Sequence, residues 1–181
     1  MIDQLKSLVQ KYAGDAVVNN PDIPNDKNEE VIGTASNSIF GGLQQALSQG
    51  GIKDLLKMFT GGNSQVGQQV SGGLIQDLIA KFGLNASQAT TVADKMVPNV
   101  LNEMVEKTND PGDSSFDLQG IFNQLSNGQT SGFNVQDIFN KVKGGKLDLD
   151  GDGDTDMQDL MSLFKPGGMG NLTDKVKSFF G

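Results

Sequence analysis

Apolar residues return every three or four positions along much of this chain, the period of helices that each turn one stripe toward a core. Ile2, Leu5, Leu8, Val9 and Tyr12 share one face of a first amphipathic helix. Its polar face is not strongly basic, so docking on the protein is expected of it rather than a place on a membrane surface. Asn19, Asn20, Pro21, Asp22, Ile23, Pro24 and Asn25 follow, and their two prolines block helix and predict a linker. Val31, Ala35, Ile39, Leu43 and Leu47 then recur in steps of four through a helix loosened by Gly33 and the Gly41–Gly42 pair, with Gly50–Gly51 as its expected end. Ile52, Leu55, Leu56 and Phe59 predict a shorter helix stopped by Gly61–Gly62.

Val66, Val70, Leu74, Leu78 and Phe82 describe the next helix, with Gly83 placed to supply its left-handed C-terminal residue. Asn85 and Gln88 fit a capping box, with Leu84 as the preceding apolar residue. The helix they open carries Val92, Met96, Leu101, Met104 and Val105, and Pro98 is expected to kink or split it near Val97. Farther on the chain repeats itself: Phe116, Gln119, Ile121, Phe122 and Asn123 recur seventeen positions later as Phe133, Gln136, Ile138, Phe139 and Asn140. Each copy predicts one short helix ending near glycine, and the two together a hairpin that buries its Ile–Phe pairs. Near the C-terminus Asn171 can cap a last helix with a stripe of Leu172, Val176, Phe179 and Phe180. Burying such phenylalanines is worth roughly 1.5–3 kcal/mol each, so the stripe is expected to dock on the hairpin, a second subunit or a protein partner. The expectation is an all-α protein, a multihelical array of short helices in three parts: residues 1–25, 26–111 and 112–181.

Residues 41–111 resemble the YidB-like family, a bacterial family of unknown biochemical function. The resemblance is carried by Gly50-Gly51-Ile52-Lys53-Asp54-Leu55-Leu56, by Leu78-Ile79-Ala80-Lys81-Phe82-Gly83-Leu84 with Ala86-Ser87-Gln88-Ala89, and by Val97-Pro98 ahead of Asp110-Pro111. It implies a compact array of short helices and no activity.

Composition narrows the chemistry. Hydrophobic residues make up 36% of the chain and there are 24 glycines, which predicts short helices, flexible turns and a modest core. Cys and His are both absent, which excludes disulfides, zinc–thiolate sites, thiol nucleophiles and the commonest general base. A formal charge of −8 repels phosphate backbones and anionic headgroups, so no nucleic acid partner is expected and a membrane surface is disfavoured. The first residues do not read as a signal peptide and no segment is long and apolar enough to span a bilayer. A cytoplasmic location is expected, with the cell envelope or the exterior as the alternative if a leader is missing.

The most specific chemistry lies in residues 148–159. A hard cation needs oxygen ligands converging from many directions, and a calcium loop supplies them from positions 1, 3, 5, 9 and 12, with a backbone carbonyl at 7 and glycine at 6. Those positions hold Asp148, Asp150, Asp152, Asp156 and Asp159, with Asp154 at 7 and Gly153 at 6. Gly144–Gly145 separates the preceding helix from the loop, and position 12 is Asp rather than Glu. The run from Asp148 to Phe164 is similar to one half of a dockerin, an EF-hand-like unit in which Asp at position 12 is usual and a leucine-containing helix follows. From that similarity we carry over ion ligation alone. The resulting expectation is a non-catalytic, Ca²⁺-binding interaction or scaffold module, acting on a protein partner or by self-association, whose ion stabilises the C-terminal segment. The rival is a divalent-metal-dependent hydrolase using the acid cluster, for which a cleft bringing Glu103 or Glu106 to the loop would speak.

Overall fold

Among the described residues six α-helices follow one another in the order α1 (Ile2–Ala13), α2 (Asn28–Phe59), α3 (Val66–Phe82), α4 (Ala86–Asn109), α5 (Leu118–Leu125) and α6 (Val135–Lys143). The computed structural model describes residues 2–61, 65–132 and 134–143, and no strand occurs among them, so the all-α expectation holds. The acidic loop and the C-terminal stripe lie outside the described residues. α2 is the central member: α1, α3 and the α5–α6 hairpin pack on it, and α4 closes the array against α1 and α3. One continuous buried cluster runs from Leu5 in α1 to Phe139 in α6.

Leu5, Leu8 and Val9 of α1 are buried as the periodicity requires, while Ile2 stays exposed. The helix continues as a π-helical turn over Gly14–Val18, which adds Ala16 and Val17 to the core. The proline-bearing stretch after it is no free linker. Ile23 is only 3% exposed; the Asn20 side chain donates to the Ala16 carbonyl at 3.0 Å and accepts from the Asp22 N–H at 3.0 Å. The prolines do exclude helix there, but one apolar residue between them suffices to fasten the crossing.

The largest departure from the expected pattern is α2. It runs unbroken for 32 residues through Gly50–Gly51, where a helix end and a second, shorter helix were expected. Glycine in a helix costs about 1 kcal/mol relative to alanine and does not forbid the conformation. Burial of Leu43 and Leu47 before the pair, and of Leu55, Leu56 and Phe59 after it, keeps one face on the core and outweighs that cost. The chain is therefore built on long helices, with 24 residues in α4 as well, rather than on uniformly short ones.

Adjacent glycines in α2 have opposite roles. A Cβ at Gly42 would stand 2.8 Å from Val70 Cγ2 and 3.0 Å from Val70 Cα, whereas one at Gly41 would meet nothing within 4 Å. Gly42 thus sets the close approach of α2 and α3. Gly42→Ala should destabilise the protein, because displacing backbone costs roughly 1–3 kcal/mol against a propensity gain of about 1. Gly41→Ala should stabilise it by up to about 1 kcal/mol. Denaturant melts of the two variants check the difference in sign.

The punctuation of α3 and α4 matches its prediction. Gly83 is left-handed at φ +68°, Leu84 is buried, and Asn85 and Gln88 form the reciprocal capping box at 2.9 and 3.0 Å. Pro98, however, does not split α4, which is helical from Ala86 to Asn109. Proline removes one N–H and crowds the carbonyl four residues back. Pro98 and Asp94 both lie on the exposed side of the helix, where water can serve the orphaned carbonyl. Buried Val97, Val100 and Leu101 hold the other side to the core. Beyond α4, the hairpin forms as the repeat predicts. Phe122 lies against Phe59, ring centroids 6.3 Å apart, and so fixes α5 to the end of α2.

Candidate functional site

Asp148, Asp150, Asp152, Asp154, Asp156 and Asp159, the six residues that carry the calcium reading, lie outside the described residues, and the structure does not address their geometry. Among the described residues there is no group of three or more Asp, Glu, His or Cys placed to hold a metal ion. The polar chemistry of the described residues includes two ionic clusters and a groove.

The first cluster joins α1 to α4. Adjacent Lys11 and Tyr12 close the last turn of α1 over Glu103: Lys11 Nζ lies 2.7 Å and the Tyr12 hydroxyl 2.5 Å from the same Glu103 Oε2. These two hydrogen bonds hold the Glu103 carboxyl below its ordinary pKa, Lys11's contribution being the larger. The bond to Glu103 raises the Tyr12 phenol, and burial adds to the effect. Lys11 is raised by the same partner. All three groups are thereby held in their resting protonation states, which suits a fastening and not an acid–base pair. An open cavity of about 430 Å³ adjoins the cluster, lined by Lys11, Tyr12, Asp15, Lys95 and Asn99 among others. Glu103, the acid that a hydrolytic site would have to borrow, is committed to α1.

The linkage has a testable sign. A lowered carboxylate pKa contributes stability that is present above the unfolded-state pKa and is lost as pH falls through the folded one. Glu103→Gln should therefore lower Tm by about 2–4 °C at neutral pH, and the gap to the parent protein should close in acid. Thermal melts across the acid range read this directly.

The second cluster closes the turn after α4. Lys107 Nζ lies 2.6 Å from Asp113 Oδ2, while the Ser115 N–H and hydroxyl both donate to Asp113 Oδ1. Lys107, then the two Ser115 donors, keep the Asp113 carboxyl far below the usual carboxylate range. The groove runs between α3 and α4. Gly67, Ser71 and Gly72 leave room over Ile75, Val97 and Leu101, opening a space of about 710 Å³ rimmed by Gln68, Asp94 and Asn102. Its apolar floor offers shape, and its rim offers two side-chain amides and the Asp94 carboxylate for hydrogen bonding. None of these features was predicted from the sequence. The Lys11–Tyr12–Glu103 fastening joins residues 91 and 92 positions apart, and no local pattern announces such a pairing.

Residues 64–161 match a family model described as a bacterial protein of unknown function (DUF937). The matched span takes in α3 to α6 and also residues 148–159. No curated protein and no solved structure matches the chain. No helix of the described residues is long and apolar enough to cross a membrane.

Proposed function

We propose, from the premise that this chain belongs to the bacterial DUF937 family, that it is a non-catalytic interaction module whose C-terminal segment is stabilised by one Ca²⁺. Within that family we read residues 41–111 as YidB-like. The observation that carries the proposal is the spacing in residues 148–159: acids at each side-chain ligand position of a calcium loop and Gly153 at its turn. Six aspartates this close repel one another without a cation, so ion binding and local folding are coupled. Ca²⁺ fits such an irregular oxygen set better than Mg²⁺, which demands near-octahedral geometry and keeps its waters. The engagement of Glu103 by Lys11 and Tyr12 speaks against the rival metal-dependent hydrolase. For the interaction itself, the α3–α4 groove supplies an apolar floor, and the stripe of Leu172, Val176, Phe179 and Phe180 supplies an apolar face that needs a partner protein or a second copy.

Calorimetric titration of Ca²⁺ and of Mg²⁺ into chelated protein tests the ion, with one Ca²⁺ site and weaker Mg²⁺ binding expected. Light scattering with and without Ca²⁺, on the full chain and on a chain lacking residues 171–181, tests the association. Absence of Ca²⁺ heat would remove the ion from the proposal. A truncated chain that associates as before but melts lower would make the last helix an internal structural element.

A further inference from the structure

The turn that ends α5 is closed by an asparagine where glycine is commoner. Ser126 caps the helix, and Asn127 follows it at φ +52°, the one non-glycine residue with positive φ among the described residues. The Asn127 N–H donates to the Gln124 carbonyl at 3.3 Å, and the Gly128 N–H donates to the Asn123 carbonyl at 2.6 Å. This pair of bonds is the Schellman arrangement, whose left-handed position is usually glycine and sometimes asparagine. A brace crosses the same turn: the Thr130 N–H donates to Ser126 Oγ at 3.1 Å, and the Thr130 hydroxyl donates to Asn123 Oδ1 at 2.8 Å. Ser126 and Thr130 are both buried.

Asn127 and Gly128 themselves are exposed to water, and they are the chain's one Asn-Gly pair. That pair carries a chemistry of its own. The Gly128 nitrogen, once it loses its proton, can attack the Asn127 side-chain amide, because residue 128 has no side chain to shield it. A bond forms from the Gly128 nitrogen to Asn127 Cγ, the Cγ–Nδ2 bond breaks, and ammonia leaves with the proton. The five-membered imide that results then takes up water. Opening at Cγ leaves aspartate, whereas opening at the main-chain carbonyl leaves isoaspartate, with the chain rerouted through the side chain.

The closed turn opposes this reaction at its first step. The attacking nitrogen is the one whose N–H binds the Asn123 carbonyl, so losing that proton means losing the bond. Ring closure also requires rotation about the Asn127 Cα–C bond, which both turn bonds resist. We infer that Asn127 is a modification site gated by this turn, intact while the Schellman bonds are made and converted to aspartate or isoaspartate when the end of α5 opens. The change runs one way. A carboxylate at residue 127 stands at the C-terminal end of α5, where the helix dipole disfavours negative charge. Isoaspartate adds one carbon to the main chain, so the two turn bonds lose their register. An opening of the α5 end is thereby fixed into the covalent structure.

Peptide mass spectrometry on the full chain, held at mildly alkaline pH in buffer and in urea, tests the inference. Conversion at Asn127 should be at least about 10-fold slower in buffer, the worth of one or two hydrogen bonds kept closed. Ser126→Ala removes the Oγ that Thr130 uses, and should bring the buffer rate about 2- to 10-fold nearer that variant's own urea rate. The urea reference cancels any effect of residue 126 on the intrinsic chemistry. In the parent chain, protection of the Gly128 amide against hydrogen exchange should match the slowing of conversion to within about threefold, since one local opening exposes the same nitrogen to both. Equal Asn127 conversion in buffer and in urea would overturn the gating. So would a slow parent rate with a Gly128 amide that exchanges unprotected, or one that a folded Ser126→Ala chain leaves unchanged.

Discussion

Replacing Asp148 and Asp159 together by Asn is expected to weaken Ca²⁺ binding by at least about 100-fold, because calcium-loop affinity follows ligand charge count and both ends of the loop lose theirs. The melting of the helical body in chelator should not change, since the buried cluster is built from Leu5 to Phe139 and both substitutions fall beyond it. The parent protein should gain stability with the ion, about 2.7 kcal/mol at one hundred times Kd if the ion binds only the folded state. The double variant should show no such gain. Calorimetry and melts with and without Ca²⁺ measure both effects, and a variant that takes up the ion like the parent would dismiss these aspartates as ligands.

Phe122→Ala should be the most damaging single substitution in the described core, at about 3–5 kcal/mol. Phe122 is 0% exposed and Phe59 is 1% exposed, their rings tilted 52° to one another. Removing one ring leaves a cavity at the junction that joins α5 to the end of α2. The same junction is tied by the Asn109 side chain, which donates to the Phe59 carbonyl at 2.9 Å, so little collapse can fill the space. Urea unfolding should show a lowered midpoint with an unchanged slope. A double-mutant cycle with Phe59→Ala should return a coupling of about 0.5–1.5 kcal/mol for the aromatic pair. An additive cycle would assign the loss to burial alone.

What could be read from residue order was governed by local chemistry. Gly83, Leu84, Asn85 and Gln88 settle the α3–α4 corner among themselves, because a left-handed glycine and a reciprocal cap need only near neighbours. The hairpin was legible for a similar reason, each unit repeating its own apolar pair, Ile121–Phe122 and Ile138–Phe139, within one short helix. Gly50–Gly51 misled, and Pro98 does not split α4, because breaker rules weigh one residue's backbone preference, and here flanking buried leucines and valines decide the outcome. Ile23 escaped notice between two prolines, since a lone apolar residue has no period. The Lys11–Tyr12–Glu103 fastening depends on which helices meet, and that is a property of the whole array. The acidic loop is the opposite case: the proposal there rests on a pattern contained within twelve positions, and the described fold does not bear on it.

That fastening also bears on how the protein is made. α1 leaves the ribosome well before its anchor on α4, since Tyr12 is bound to a residue 91 positions later. At a synthesis rate of about 5–20 residues per second, the partner emerges roughly 5–20 s after the helix that needs it. During that interval the Leu5–Leu8–Val9 face is without the α4 side of its final packing. The nascent chain then presents the Leu5–Leu8–Val9 stripe to chaperones, or to neighbouring chains on the same message, until α4 arrives to cover it.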